Sequence, residues 1–313
     1  RFRKPKHLFR SASRIVSKKP ASPVADRRVE PKHWTLVNCI PKSPVMMTGR
    51  FHKMHGLGND FVIVDAREQE MELSAAKATA IADRHSGIGC DQLIILRPSD
   101  IADVRMQIFN ADGSEVEACG NASRCVAKLI GEETRIETKG GVITGHATAD
   151  GAIVDMGTPR FDWQAIPLGY AMDVLNMPVG WEDLQNPAAV NVGNPHVIFF
   201  VEDSAAVELD RLGPMIEVDP LFPEKVNVNV AHIADGVIHL RVWERGVGLT
   251  QACGTGACAT AVAAVKRGLV TSPVRVDLPG GSLTISWTAG ETIQMQGPTT
   301  YVFSGEAEWS QFG

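Results

Sequence analysis

Short runs of alternating apolar and polar residues follow one another from Phe51 onward, each bounded by Gly, Asp or Pro. Such runs predict β-strands rather than helices. In the first half of the chain we expect strands at Phe61–Val64, Gln92–Leu96, Arg105–Phe109, Arg135–Thr138, Val142–His146 and Ala152–Asp155. In the second half we expect them at Val197–Val201, Val226–Val230, Ile238–Trp243, Val274–Asp277, Leu283–Trp287 and Thr292–Gly297.

Four stretches have helical rather than alternating patterns. They are Ser74–Arg84 (with Ser74 as N-cap), Asn121–Ile130, Ala205–Leu212 and Gly254–Arg267. The last is almost entirely Ala, Val, Thr and Gly, and a helix that is apolar on all sides belongs inside a core. The segment Pro159–Pro187, rich in Pro, Gly and Trp, is interpreted as a connector. Many strands around one small-residue helix in each half predict an α+β fold, not alternating parallel units.

Two glycine-rich turns, each opened by a cysteine, lead into the small-residue helices. Cys119 begins Cys-Gly-Asn and Cys253 begins Cys-Gly-Thr. Polar residues precede the two cysteines at matching distances: Asn59 and Asn194 by 60 and 59 residues, Gln92 and Asn227 by 27 and 26, and Asn110 and Glu244 by nine each. This register indicates a duplicated unit of about 130 residues, far longer than a solenoid repeat.

The length of 313 residues suits two domains of ordinary size, and 44% hydrophobic residues provide material for two cores. We predict an N-terminal domain over residues 47–162, completed by 299–310, and a C-terminal domain over 163–298. No run of eighteen apolar residues occurs, which argues against a membrane-spanning helix.

Residues 1–46 differ from the rest in charge and pattern. They hold twelve Lys and Arg against two acidic residues, whereas the whole chain has a formal net charge of −5, so residues 47–313 carry −15. We expect 1–46 to be a disordered basic extension. Upstream sequence included by an incorrect start, a plastid-type transit peptide and a basic arm remain open. The acidic remainder does not favour binding to nucleic acid.

Six cysteines are too sparse for a disulfide scaffold, and their spacings do not match zinc-binding pairs, so we expect no metal site. A reduced, cytoplasmic protein is the better interpretation. Cys90, Cys125 and Cys258 are expected to be buried small hydrophobic residues. No role is assigned to Cys39.

Two helix N-termini that face each other would direct their N–H groups at one anion, for which an amino-acid α-carboxylate is suited. Cys119 and Cys253 would then flank the α-carbon, so that one thiolate removes its proton while the opposite thiol protonates the other face. A helix N-terminus favours thiolate, and one thiol of a coupled pair is expected to ionise near neutrality. This chemistry requires no cofactor, and the Gly56–Phe61 loop lacks the third glycine of a dinucleotide-binding motif.

Several motifs together resemble the diaminopimelate epimerase family over residues 47–310. They are His55-Gly56-Leu57-Gly58-Asn59-Asp60-Phe61, Arg84-His85-Ser86-Gly87-Ile88-Gly89-Cys90-Asp91-Gln92, Phe109-Asn110-Ala111-Asp112-Gly113-Ser114, Gly193-Asn194-Pro195-His196, Glu244-Arg245-Gly246 and Ala252-Cys253-Gly254-Thr255-Gly256. The resemblance implies two pseudo-symmetric domains, each a barrel-like, mostly antiparallel sheet around a central helix, with the site in the cleft between them. It also implies cofactor-independent interconversion of LL- and meso-2,6-diaminopimelate, a step in lysine and peptidoglycan precursor synthesis.

The resemblance also implies roles for individual residues. Cys119 and Cys253 would be the acid/base thiols. Four residues would bind the reacting carboxylate: Gly120, Asn121, Gly254 and Thr255. Asn59 and Gln92 would lie near the reacting amino group, and His196 and Glu244 would line the site near the thiols. The distal centre, which is the non-reacting amino-acid end of the substrate, would be bound by Asn110, Asn194, Asn227 and Arg245. Ala122 departs from the family pattern, which has glycine there. Alanine is harmless if the position is helical and strained if it needs a positive φ.

Other functions remain open from the residues alone. A two-thiol racemase of proline or hydroxyproline would use the same chemistry on another amino acid. A thiol redox protein is disfavoured by the absence of Cys-x-x-Cys. A catalytically silent binding module would need neither thiol. The expected partner is a small amino-acid substrate, and the sequence is compatible with a homodimer without establishing one.

Overall fold

The computed structural model describes residues 48–68 and 71–313, so the extension predicted over 1–46 lies outside the described residues. The described residues belong to one compact unit. The first half runs β1 (Thr48–Gly56), β2 (Asn59–Asp65), α1 (Ala75–Ala82), β3 (Gln92–Arg97), β4 (Val104–Asn110), β5 (Glu115–Val116), α2 (Gly120–Ile130), β6 (Glu133–Thr138), β7 (Gly141–Ala147) and β8 (Gly151–Asp155).

The second half has the same succession of elements after a short hairpin. It runs β9 (Gly180–Trp181), β10 (Leu184–Gln185), β11 (Ala188–Asn191), β12 (Pro195–Phe200), α3 (Leu209–Glu217), β13 (Asn227–Ala234), β14 (Val237–Glu244), β15 (Gly248–Thr250), α4 (Gly254–Lys266), β16 (Val274–Leu278), β17 (Gly281–Ser286), β18 (Gln294–Pro298), β19 (Thr300–Glu308) and a final 3₁₀ turn (Trp309–Phe312).

Strand pairing repeats between the halves. The parallel pair β2–β3 corresponds to β12–β13, and the parallel pair β4–β6 corresponds to β14–β16, while the remaining pairs within each half are antiparallel. β8 pairs with β18, with Val154 opposite Met295, and this pairing joins the two halves. β19 returns to pair with β1. The prediction of a mostly antiparallel α+β fold with two similar halves is confirmed.

Each half wraps its sheet around one helix, and the helix residues form the core. α2 packs with apolar residues such as Met54, Phe61 and Ile94. Ten of the thirteen residues of α4 are buried, so the prediction that this helix lies inside a core is confirmed. Small side chains allow the strands to approach a central helix on all sides, which a helix with one polar face would not permit.

The helix predicted at Ala205–Leu212 is displaced in the structure, because α3 spans Leu209–Glu217. The carbonyl groups of Ser204 and Val207 accept hydrogen bonds from the Arg241 guanidinium, at 2.9 and 2.7 Å. These carbonyls therefore accept from a side chain of β14 rather than from backbone N–H groups of a helix. The sequence pattern alone does not show this contact. By contrast, the Ser74 hydroxyl accepts from Lys77 N at 3.1 Å, as predicted for the N-cap of α1.

The segment interpreted as a connector is more ordered than expected. It contains the β9–β10 hairpin and contributes Ile166, Leu168 and Met177 to a core cluster that also holds Phe199 of β12. Among the described residues, no helix is long and apolar enough to cross a membrane.

Candidate active site

A cavity of about 920 Å³ is lined by residues of both halves. Eleven of the predicted site residues line it: Asn59, Gln92, Asn110, Cys119, Gly120, Asn121, Asn194, Glu244, Cys253, Gly254 and Thr255. His196, Asn227 and Arg245 are not among the lining residues. Within residues 48–68 and 71–313, no three His, Cys, Asp or Glu side chains are grouped so as to ligate a metal ion.

The two cysteines occupy equivalent helix positions. Cys119 is the N-cap of α2 and Cys253 the N-cap of α4, both with extended backbone. The glycines that follow approach each other: a Cβ on Gly254 would lie 3.8 Å from the Gly120 Cα and 3.0 Å from the Met295 Sδ. A Cβ on Gly120 would lie 2.8 Å from the Met295 Cε. Glycine therefore allows the two helix N-termini to meet over Met295 of β18.

Burial raises the pKa of both thiols. The pKa of Cys119 rises to about 11, because desolvation outweighs the hydrogen bonds from the backbone N–H groups of Asn121 and Ala122. The pKa of Cys253 rises well above its ordinary value through burial and the nearby Glu244 carboxylate. Burial therefore acts against the expectation that one thiol of the pair ionises near neutrality. The dipole effect is smaller than the cost of a buried thiolate.

Asn59 connects Cys119 to a network of charged side chains. Its Oδ1 lies 3.7 Å from the Cys119 Sγ, and its Nδ2 donates to the Asp91 carboxylate at 3.1 Å. Asp91 in turn binds the Arg84 guanidinium at 2.6 Å. Because a carboxylate only accepts hydrogen bonds, Asp91 keeps the amide nitrogen of Asn59 on its side and the oxygen toward the thiol. Asp91 was not singled out from the sequence as a site residue.

Asn121 links the two cysteine turns. Its Nδ2 donates to the Asn59 Oδ1 at 3.3 Å and to the Ala252 carbonyl at 3.2 Å, immediately before Cys253. The Arg124 guanidinium, fully buried, donates to the Asn121 Oδ1 at 2.9 Å. Also in the first half, Gln92 Nε2 donates to Asn110 Oδ1 at 2.9 Å, and the two residues are opposite each other on the adjacent strands β3 and β4.

Cys253 contacts one backbone donor and two polar side chains. Its Sγ accepts from the Gly256 N–H at 3.3 Å and lies 3.5 Å from the Thr255 hydroxyl. Glu244 also contacts it, and burial raises the pKa of the Glu244 carboxyl. The Thr250 hydroxyl donates to Glu244 Oε1 at 2.5 Å. Thr250, which lines the cavity, was not singled out from the sequence.

Three predicted residues lie behind the lining. His196 is fully buried and reaches the cavity through Asn194, whose Oδ1 is 2.9 Å from the His196 Nε2. Asn227 donates to the Pro195 carbonyl at 2.8 Å and accepts from the Arg245 backbone at 2.9 Å. The Arg245 side chain is exposed and donates to the Glu224 carbonyl at 2.8 Å.

Ala122 lies inside α2 and is fully buried, and it does not have a positive φ. Alanine in place of the family's glycine is therefore compatible with the helix at this position. Asn229 was missed by the sequence analysis. It is a fully buried polar residue two positions after Asn227 on β13, so the alternation of the strand places both on one face, and this signal was available in the sequence.

A comparison with protein families matches the diaminopimelate epimerase family model to residues 51–161 and 188–302. A relative from Rhizorhabdus wittichii named diaminopimelate epimerase is 64% identical over 270 residues, covering 85% of this chain and 98% of the relative. A relative of the same name from Sphingopyxis alaskensis is 63% identical over 268 residues, covering 85% of this chain and 100% of the relative.

Solved structures at lower identity share the fold. A phenazine biosynthesis protein of the PhzF family from Bacillus anthracis matches with a TM-score of 0.62 and 17% identity, covering 84% of this chain and 99% of that chain. A hydroxyproline epimerase from Agrobacterium vitis matches with a TM-score of 0.59 and 15% identity, covering 83% and 91%. These likenesses concern the fold alone. From the family match and the high identity over most of its length, the chain belongs to the diaminopimelate epimerase family.

Proposed function

We propose that this protein epimerises the α-carbon of LL-2,6-diaminopimelate to give the meso isomer, without a cofactor. The observation that carries the proposal is the pair of thiols, the half-buried Cys119 and the buried Cys253, at the N-caps of two meeting helices on one cavity. Relatives named diaminopimelate epimerase, up to 64% identical, support the choice of substrate. The step serves the synthesis of lysine and of peptidoglycan precursors.

We place the reacting carboxylate between the N-termini of α2 and α4. The first N–H groups of a helix have no partner within the helix, and together with the helix dipole they favour an anion. Gly120 and Asn121 would donate from one helix, and Gly254 and Thr255 from the other. The same N–H groups would stabilise the negative charge that spreads into the carboxylate when the α-proton leaves.

The two thiols then exchange one proton through the substrate. In one direction the thiolate of Cys119 takes the α-proton, and Cys253 donates its own proton to the opposite face, so that Cys119 ends as thiol and Cys253 as thiolate. The reverse reaction exchanges these roles. Burial raises the pKa of both sulfurs, which makes either thiolate a stronger base toward a weakly acidic C–H bond once the substrate ammonium offsets the charge.

The remaining residues would recognise the rest of the substrate. We assign Asn59 and Gln92 to the reacting amino group. The distal centre is assigned to Asn110, Asn194, Asn227 and Arg245. The exposed Arg245 side chain adjoins Gly246, which lines the cavity, and its planar guanidinium suits bidentate binding of a carboxylate. Its present hydrogen bond to a backbone carbonyl is exchangeable for that stronger partner.

Deuterium exchange tests the proposed function. The reduced wild-type protein is incubated in heavy water with LL-diaminopimelate, and we expect deuterium at the α-carbon together with meso product. L-proline and L-hydroxyproline serve as parallel substrates and should not exchange. Exchange of proline or hydroxyproline without exchange of diaminopimelate would overturn the assignment in favour of the other racemase. Activity under full reduction distinguishes proton transfer from thiol redox chemistry.

A homodimer is proposed through β19. Among the described strands this one pairs with β1 alone, and Tyr301, Val302 and Phe303 are about half exposed on it. An apolar edge strand favours pairing with a second strand, and two copies of one strand satisfy the symmetry of a dimer. Phe303→Lys should dissociate the dimer in sedimentation velocity, and a wild-type protein that sediments as a monomer would overturn this proposal.

The predicted domain boundaries and cellular location are also proposals. The pairing of β19 with β1 supports assigning residues 299–310 to the domain 47–162, with 163–298 as the second domain. Five described cysteines are unpaired, which supports a reducing compartment such as the cytoplasm.

A further inference from the structure

His196 on β12 is fully buried, and both of its ring nitrogens contact side-chain amides. Nδ1 lies 3.0 Å from the Asn229 Nδ2, and Nε2 lies 2.9 Å from the Asn194 Oδ1. Burial lowers the pKa of His196 to about 3, so the ring is neutral and carries one N–H. The position of that single proton decides the direction of both hydrogen bonds.

The contacts continue from His196 to the sulfur of Cys253. The Asn194 Nδ2 lies 3.3 Å from the Thr255 Oγ1, and this oxygen lies 3.5 Å from the Cys253 Sγ. A hydroxyl that accepts from Asn194 keeps its own proton for another acceptor. Thr255 can therefore donate to the sulfur, but only if the Asn194 amide presents its nitrogen to Thr255.

Two hydrogen-bond directions are compatible with these atom positions, and the burial of Asn229 favours one of them. When Asn229 donates through Nδ2 to His196, its carbonyl oxygen Oδ1 is left without a hydrogen-bond partner. This oxygen lies close to α4, since a Cβ on Gly256 would be 3.1 Å from it. In the reverse direction an NH₂ group would occupy this place with no acceptor. Buried N–H groups without an acceptor are rarer in proteins than under-satisfied carbonyl oxygens.

We propose that Asn229 is a positioning residue that holds His196 in the tautomer with the proton on Nε2. Asn229 donates to Nδ1, Nε2–H donates to Asn194, Asn194 donates to Thr255, and the Thr255 hydroxyl donates to Cys253. The donation stabilises this sulfur each time it becomes a thiolate. The functional consequence rests on the proposed role of Cys253 in proton transfer, whereas the tautomer itself does not.

The tautomer is measured directly on the wild-type protein by nitrogen-15 NMR with labelled histidine. His196→Gln identifies the signals of this ring. We expect a protonated Nε2 and a bare Nδ1. In Asn229→Asp the carboxylate can only accept, so the proton should appear on Nδ1. A wild-type ring protonated on Nδ1, or an Asn229→Asp ring with a bare Nδ1, would overturn the proposal.

Kinetics test the consequence for Cys253. Asn229→Leu has a similar volume and removes the donor, so we expect kcat to fall about tenfold, the value of one lost hydrogen bond in the transition state, with KM unchanged. Alkylation by iodoacetamide, followed by peptide mass spectrometry, should slow at Cys253 and not at Cys119. Equal slowing at both cysteines, or no slowing, would contradict the proposal.

Thr260→Val is the matched control. Thr260 lies in α4, is fully buried, and its hydroxyl has no partner, so this variant perturbs the same core without touching the chain of hydrogen bonds. It should retain wild-type kcat and alkylation rates. If Asn229→Leu does not fold, the NMR comparison of the wild type and Asn229→Asp still decides the proposal. A wild type that fails to exchange diaminopimelate defeats the proposed function and leaves the tautomer result valid.

Discussion

The two halves share their strand pairings and give each cysteine backbone N–H donors, yet they place different side chains beside the two sulfurs. In the first half the Cys119 Sγ lies 3.7 Å from the neutral Asn59 Oδ1. In the second half Cys253 contacts the Glu244 carboxylate, and its Sγ lies 3.5 Å from the Thr255 hydroxyl. The duplicated backbone therefore supplies two similar thiol positions. The side chains added to each half give the two thiols different surroundings, although each thiol acts as acid in one direction of the proposed reaction and as base in the other.

One charge difference between the halves lies at a pair of equivalent positions on the cavity. Asn110 ends β4 in the first half, and Glu244 ends β14 in the second. Both line the cavity, but only Glu244 carries a charge, and it raises the pKa of both thiols. The carboxylate of one half therefore acts electrostatically on the cysteines of both halves.

Replacing either cysteine should have the largest effect. Cys119→Ser and Cys253→Ser each remove one proton-transfer group, so we expect kcat for epimerisation to fall about 10²–10⁴-fold. Losses of similar size in both variants are expected because each turnover uses both sulfurs. Coupled assay of meso product measures the loss. A variant that retains wild-type kcat would show that its half contributes no catalytic group.

Cys125→Ala and Cys258→Ala are the matched controls. These cysteines lie in the same two helices, are fully buried and are absent from the cavity lining. They should retain kcat while losing some stability through the small cavity created.

Removing the charge of Glu244 should reduce the difference between the equivalent positions 110 and 244 and measure how strongly this carboxylate acts on each thiol. Glu244→Gln should lower the pKa of both thiols, because a negative charge near a sulfur disfavours the thiolate. The change should be larger at Cys253, which Glu244 contacts directly. At about pH 8 we expect iodoacetamide to alkylate Cys253 about tenfold faster. The exposed Glu202→Gln is the control, and an unchanged rate in Glu244→Gln would separate this carboxylate from the thiols.

Asp91→Asn should have a smaller effect, limited to the first half. An asparagine at position 91 can donate as well as accept, so the Asn59 amide is no longer held with its oxygen toward Cys119. We expect kcat to fall about fivefold, within the range for one hydrogen bond. Alkylation of Cys119 should change while that of Cys253 stays constant. Asp100→Asn, on the surface, should change neither.

Much of the fold could be predicted because the duplication repeats in the sequence. Strand alternation and the two small-residue helices are local signals, and the structure places them as expected. α3 was misplaced because Arg241 binds the carbonyls of Ser204 and Val207, which lie 37 and 34 residues earlier in the chain. Such a contact depends on the folded arrangement of β14.

The site could be predicted in its residue types but not in its electrostatics. Eleven of the residues predicted from the duplicated landmarks and the family resemblance line one cavity. The thiol pKa values were expected to fall toward neutrality, and burial raises them instead, because the amount of burial depends on how closely the two halves pack. Asp91 and Asn229 were missed for a related reason. Each acts through a partner that is distant in sequence: Asn59 lies 32 residues from Asp91, and His196 lies 33 residues from Asn229.

The smallest effects are expected at Ala122 and Gly256, which are equivalent third positions after the two cysteines. Ala122→Gly should lower the free energy of unfolding by about 1–2 kcal/mol, through helix propensity and one lost buried methyl, while kcat stays unchanged. Gly256→Ala cannot raise the free energy of unfolding by the same amount. Its Cβ would lie 3.0 Å from the Val242 Cγ2 and 3.2 Å from the Cys253 Sγ.

Urea unfolding and kcat measured on both variants test whether this difference between the halves is required. We expect Gly256→Ala to lower kcat without a gain in stability, because the methyl group displaces the sulfur that accepts the Gly256 N–H. A Gly256→Ala protein that is stabilised by about 1 kcal/mol at wild-type kcat would show that the second half tolerates alanine as the first does. The glycine at 256 would then have no part in making the two thiols different.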